Sequence, residues 1–421
     1  MSSSRCLLPQ SMNLQMAERH TASLVLTGIG SLVTNNPSHG GLLGIIDDAA
    51  VAIVDGEIAW VGTADAIPAE FRDVELVDAE DRAVLPGFVD AHTHAVFAGD
   101  RADEFSRRVA GATYEDILNA GGGIHSTVAA TRSATLDELV AASMPRIERM
   151  LHHGTTTAEV KTGYGLDVET ERKILDAILA IDRDLPIDII PTYLGAHVVP
   201  GEFGDRREAY LDLVTGDMLD AVASDVRFVD VFCDKAAFSV AETQRVAAAA
   251  TAVGLPIRLH VDQLSASGGA ALAAELAVMS ADHLDHATDE DFRQLAEAGV
   301  VAVLLPGVSW SMRLPPPPGR RAWDCGVTVA IASDCNPGTS YVETMPFVIA
   351  LAVATTGLTV DEAVWAATRG GALSLGLSDR GAIAVGGIGD LVIVDADTHA
   401  HLAYRPDGGL VAATVKRGVI V

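Results

Sequence analysis

Between residues 85 and 332, short apolar runs alternate with stretches of helical spacing, and this alternation limits the available folds more than any other feature of the chain. Strand-type runs fall at 85–89, 156–160, 187–192, 228–232, 256–260, 277–281, 300–305 and 327–332. Helical patterns occupy 136–151, with Ser133 and Thr135 available as caps, and also 169–181 and 240–253. Strands that are apolar along their length are typical of a parallel sheet covered on both faces. Eight of them, separated mostly by helices, predict an α/β chain folded as a TIM-like (β/α)8 barrel. An open doubly wound sheet is the alternative, but no Gly-X-Gly-X-X-Gly sequence opens a helix here.

The two ends read differently. Residues 22–84 hold short β-runs broken by Asn-Pro and Asp-Gly, with Asp55-Gly56 placed as a hairpin turn. Runs at 390–394 and 411–415 repeat this style near the C-terminus. A chain of 421 residues is too long for one small core. The expected organisation is a catalytic barrel over 85–379 and a small β-sandwich built from 21–84 and 380–421. A polar, mixed leader, expected to be disordered, covers 1–20.

A net charge of −28 argues against nucleic acid or an anionic membrane as partner. The four cysteines, Cys6, Cys233, Cys325 and Cys335, show no Cys-X-X-Cys spacing and suit a reducing compartment. No secretory h-region opens the chain, and the apolar stretch 345–358 is too short and interrupted to span a bilayer. A soluble cytoplasmic protein is expected.

In a barrel of this type, functional groups gather where strands end. The first strand ends in His92-Thr93-His94, whose imidazoles, two residues apart, point to one face. Later ends carry Lys161-Thr162-Gly163-Tyr164-Gly165, Gly195-Ala196-His197, Cys233-Asp234-Lys235, His260-Val261-Asp262-Gln263, Asp282-His283-Leu284 and Ser333-Asp334-Cys335-Asn336. His92, His94 and His260 offer nitrogens and Asp334 an oxygen, a set suited to Zn²⁺ or iron with one position left for water. Asp334 is placed to take a proton from that water, and His283 to act as acid, base or oxyanion donor. Taken singly, His197 and His283 read more readily as hydrogen-bonded structural residues than as site groups. Lys161 and Lys235 allow two readings, a carbamylated bridge to a second metal or a salt-bridged lysine.

These residues resemble the amidohydrolase superfamily and, within it, the imidazolonepropionase family of histidine degradation. The resemblance spans nearly the whole chain after the leader. It rests on Pro86-Gly87-Phe88-Val89-Asp90-Ala91-His92-Thr93-His94, on Gly111-Ala112-Thr113-Tyr114 leading to Gly121-Gly122-Gly123-Ile124, and on Glu159-Val160-Lys161-Thr162-Gly163-Tyr164-Gly165-Leu166. Further segments are Leu194-Gly195-Ala196-His197, Asp230-Val231-Phe232-Cys233-Asp234-Lys235, Ser280-Ala281-Asp282-His283-Leu284 and Ser333-Asp334-Cys335-Asn336-Pro337-Gly338-Thr339. The resemblance implies hydrolysis of 4-imidazolone-5-propanoate to N-formimidoyl-L-glutamate. It implies one Zn or Fe ion per chain, held by His92, His94, His260 and Asp334, and so weighs against a bridging lysine. Substrate contacts carried over are Arg101, Tyr164, His197, Gln263, Asn336, Gly338 and Thr339. Catalytic roles fall on Asp334, His283 and Gln263. Some relatives carry Glu where this chain has Gln263, and an amide accepts no proton, so proton transfer rests on Asp334 and His283. Arg101 offers a fork suited to a propanoate carboxylate, or else is a surface-loop arginine. The expected partner is that small molecule, with at most a second copy in a homodimer. The alternatives are another cyclic amidohydrolase, a nucleobase deaminase on the same scaffold, or a non-catalytic barrel.

Overall fold

The structure is a computed structural model that describes residues 23–71, 74–112, 122–235, 237–406 and 409–421. The expected leader, Cys6 and the whole segment from Thr113 to Gly121 lie outside the described residues.

Strands β1 (Leu24–Val33), β2 (Ile45–Val54), β3 (Glu57–Thr63) and β4 (Glu75–Pro86) open the chain. Then come β5 (Phe88–Asp90), β6 (Thr155–Lys161), β7 (Asp188–Ala196), β8 (Phe228–Cys233), β9 (Ile257–Val261), β10 (Ser280–His283), β11 (Val301–Leu304) and β12 (Val329–Ile331). Strands β13 (Leu391–Val394), β14 (Val411–Lys416) and β15 (Val419–Ile420) close it. β5 to β12 form one parallel eight-stranded sheet in sequence order, with helices on the connections. The sheet closes between its first and last strands, where Thr93 bridges Cys335 in parallel. There Asp334 N donates to His92 O at 3.0 Å and His94 N donates to Cys335 O at 3.0 Å. The barrel therefore shuts on the segments that carry three of the four expected metal ligands.

The two chain ends build a second sheet of seven strands, ordered β15-β14-β13-β4-β1-β2-β3. Its inward residues, among them Leu26, Ile29, Val51, Ile53, Val84, Leu391 and Val415, share a hydrophobic core of their own. Register shifts in β1 and β2 bend these strands around that core. Asp55 (φ 49°) and Gly56 (φ 84°) make the two-residue turn joining β2 to β3, with left-handed backbone at both positions as such hairpins require.

Two strand boundaries move. The apolar run at 85–89 is not one strand: Leu85 and Pro86 finish β4 by pairing with β13, and Phe88 starts the barrel by pairing with β6. Gly87 is the joint, packed so tightly that a Cβ there would sit 2.2 Å from Thr156 Oγ1. Hydrophobicity hides the break because both sheets bury this segment. The run at 277–281 starts too early, since Ala277 has φ 47° and belongs to the turn after the helix Gly269–Glu275, while β10 begins at Ser280. The helix Leu136–His152 forms as the spacing predicts, and Thr135 caps it in a box with Glu138.

Candidate metal centre

His92 and His94 follow the end of β5, His260 lies in β9, His283 ends β10 and Asp334 follows β12. All five are buried at one rim of the barrel. His94 Nε2 lies 3.4 Å from His260 Nε2 and 3.4 Å from Asp334 Oδ1, and His92 Nε2 lies 3.6 Å from Asp334 Oδ1. A tetrahedral cation with arms of about 2.1 Å needs ligand-to-ligand edges of about 3.4 Å. His92 Nε2 and Asp334 Oδ1 are buried with no hydrogen-bond partner, which costs free energy unless something else satisfies them. The four expected donors thus fit one small cation. His283 joins this cluster, with its nearest ligand atom within 4.8 Å of those of His92 and Asp334.

The electrostatics suit the same assignment. Burial first, then the positive charge of Lys161 and the neighbouring imidazoles, holds His92 well below the usual histidine range. Burial and the other imidazoles do the same to His94 and His283. Neutral imidazoles have the lone pair that a metal requires. Burial pushes the Asp334 carboxyl up. His283 (φ 76°) and Asp334 (φ 48°) both adopt left-handed backbone, a strain typical of functional strand ends.

The remaining expected residues divide into two groups. His197 stacks on His94 with ring centroids 5.2 Å apart, and Tyr164 lies 5.9 Å from His94 and 5.6 Å from His197. His197 Nδ1 is 2.9 Å from Gly163 O and must donate to it, so Nε2 keeps the lone pair. Burial brings His197 down to about 4, so it is neutral. Burial pushes the Tyr164 phenol up, and it remains a donor. Gln263 is half-buried just beyond β9.

Asn336 has a job inside its own loop. Its Nδ2 donates to Asp334 O at 2.6 Å and to Thr339 Oγ1 at 2.9 Å, while its Oδ1 accepts from Gly338 N and Thr339 N, each at 2.8 Å. This loop runs from Asp334 to the side chain of Arg101, whose Nη1 lies over Gly338. Arg101 is not a free surface side chain: Glu104 pairs with it, and the pair is mostly buried. Arg101, Gly338, Phe105, Trp310 and Tyr341 line a cavity of about 590 Å³.

Sequence reasoning left unassigned the charges beneath the imidazoles. Lys161 Nζ lies 2.7 Å from both Glu159 and Asp230. Burial alone would lower its ammonium, but Asp230 and Glu159 outweigh burial and leave it raised. It is a salt-bridged lysine, and Lys235 is exposed. The available signal was Glu159, Asp230, Arg258 and Asp282 lying within apolar barrel strands, since a charge buried there must be paired. His152 and His286 are exposed.

A catalytic barrel with this rim defines a class, and the chain belongs to it: the Amidohydrolase family model matches residues 83–421. Similar curated proteins are narrower in kind. The Imidazolonepropionase of Salinispora tropica is 49% identical over 400 residues, covering 94% of this chain and 98% of that protein. Those of Symbiobacterium thermophilum and Streptomyces coelicolor are each 46% identical, covering 94% and 95% of this chain and 97% and 99% of theirs. Among solved structures, a triazine hydrolase variant matches with a TM-score of 0.74 at 18% identity, covering 94% of each chain. Guanine deaminase from C. acetobutylicum matches with a TM-score of 0.69 at 14% identity, covering 95% of this chain and all of that one. At such identities these two matches speak for the fold alone.

Proposed function

We propose that this chain hydrolyses the cyclic amide of 4-imidazolone-5-propanoate to N-formimidoyl-L-glutamate, a step in histidine degradation, with one Zn or Fe ion per chain. The observation that carries this reading is the convergence of the Nε2 atoms of His92, His94 and His260 with Asp334 Oδ1, three of whose separations, 3.4, 3.4 and 3.6 Å, match a tetrahedral edge. The identity of the relatives directs it to imidazolone rather than to a nucleobase.

When bound, the cation supplies Lewis acidity, acidifying a water and polarising the ring carbonyl. The rest is done by side chains. Asp334, in contact with that position, takes the proton of the attacking water; the neutral His283 receives that proton and passes it to the departing ring nitrogen. Gln263 lacks a basic oxygen and serves by hydrogen bonding. His197, with its lone pair on Nε2, accepts from a ring N–H, and the Tyr164 phenol donates to the ring. Arg101 reads the propanoate carboxylate, with Glu104 holding the guanidinium and Gly338 leaving room for it. Asn336 and Thr339 keep the loop in shape.

The reading includes a division into a composite β-unit from both ends and a barrel that begins at Gly87. It also places the enzyme in the cytoplasm. Among the described residues no helix is long and apolar enough to cross a membrane. The reading also allows a homodimer. The test is loss of imidazolone absorbance on adding pure protein, with N-formimidoyl-L-glutamate as product. Turnover of a pyrimidine or purine instead, in a panel of cyclic amides and nucleobases, would reject it.

A further inference from the structure

Glu159, Lys161, Asp230, Arg258 and Asp282 are fully buried beneath the imidazoles, and the chemistry above uses none of them. Each buried ion costs several kcal/mol in lost hydration, about what good pairing returns. Asp282 is the best-fixed member. Its Oδ1 accepts from Ser280 Oγ at 2.6 Å, and its Oδ2 accepts from Arg258 Nη2 at 3.1 Å and lies 2.6 Å from His92 Nδ1. Asp230 Oδ2 stands 3.0 Å from His260 Nδ1, off the line of a good hydrogen bond, and 2.7 Å from Lys161 Nζ. His94 differs: among the described residues its Nδ1 has no hydrogen-bond partner.

An imidazole has one proton when neutral. If it sits on Nδ1, facing a carboxylate, Nε2 must present its lone pair to the centre of the site. We propose that Asp282 and Asp230 are positioning residues that fix His92 and His260 as Nδ1–H tautomers, with Arg258 and Lys161 anchoring the two carboxylates. This rests on the ligand set proposed above. The His92–Asp282 pair, shorter and better anchored, carries more of the effect than the His260–Asp230 pair.

The test combines ¹⁵N-histidine spectra of the metal-free protein with Zn²⁺ titration against a chromophoric chelator. The parent protein should show His92 and His260 protonated on Nδ1. Asp282→Asn should change the ring-nitrogen pattern of His92 alone and weaken Zn²⁺ binding ten- to a hundredfold, the usual span for such outer partners. Asp282→Glu should recover part of that affinity, and Asp230→Asn should alter His260 alone, with a smaller loss. If Asp282→Asn fails to fold, the parent spectrum and Asp230→Asn still decide. An Nε2–H tautomer of His92 in a parent protein that binds zinc normally overturns the positioning role alone. A folded Asp282→Asn that binds Zn²⁺ within twofold of the parent also overturns it. A parent that binds no zinc overturns the ligand set, and the positioning role with it.

Discussion

Replacing Gly338 by alanine probes substrate reading without touching a charge. A Cβ at this position would lie 2.1 Å from Arg101 Nη1 and 2.8 Å from Arg101 Cζ. Ordinary contact begins at 3.4 Å, so Nη1 must retreat by about 3.4 − 2.1 = 1.3 Å. The obstacle is the far end of a flexible side chain and Gly338 is not in the left-handed region, so the fold should tolerate the methyl group. A carboxylate pair should not survive such a shift as a fork. Loss of a charge-assisted pair is worth about 1.5–3 kcal/mol, roughly ten- to a hundredfold in binding. Steady-state kinetics on 4-imidazolone-5-propanoate should show KM raised by that factor, with metal content and melting temperature close to those of the parent. An imidazolone without the carboxylate should be a poor substrate for both proteins and should hardly distinguish them. Equal losses on the two compounds would refute the assignment of the tail to Arg101.

His283→Ala should keep its metal, measured by elemental analysis, and lose about 10²–10⁴-fold in kcat; near-parental turnover would move the proton chemistry elsewhere. Asp188, at the start of β7, receives Arg380 Nη1 at 2.5 Å, Lys416 Nζ at 3.1 Å and Arg417 Nη2 at 3.3 Å, joining the barrel to the C-terminal strands. Asp188→Asn should therefore cost about 3–5 kcal/mol, visible as a lower melting temperature; an unchanged melt would contradict it. Arg207 bonds both oxygens of Glu242 and holds that carboxyl at about 2 instead of 4.5. A depressed carboxylate stabilises the fold above about 4.5 and loses that contribution as the pH falls toward 2. Melts of the parent and Glu242→Gln should thus differ at pH 7 and converge near pH 2; a constant gap across that range would contradict the sign.

The barrel was legible because its strands are apolar along their whole length, and the rim because polar residues interrupt those runs at their ends. His92, His94, His260 and Asp334 could be read as one set for that reason, and the structure brings them together. Gly87 was not legible as a joint, since the residues on either side are equally hydrophobic and only sheet pairing separates them. The partners Asp282 and Asp230 escaped for a related reason. Their meaning lies in strand register, with Asp282 level with His260 across β9 and β10, and no local pattern records which side chains then meet. Asn336 was legible as part of a recognisable segment, but the hydrogen bonds by which its side chain also holds the loop were not.

One cation, held by His92, His94, His260 and Asp334, is proposed to drive hydrolysis of an imidazolone. Metal-free protein should be titrated with Zn²⁺ or iron while the decay of 4-imidazolone-5-propanoate absorbance is followed. Activity should rise in proportion to metal, level off at about one equivalent per chain, and yield N-formimidoyl-L-glutamate. Full activity without metal, a plateau at two equivalents, or metal-loaded protein that leaves the imidazolone intact would contradict it.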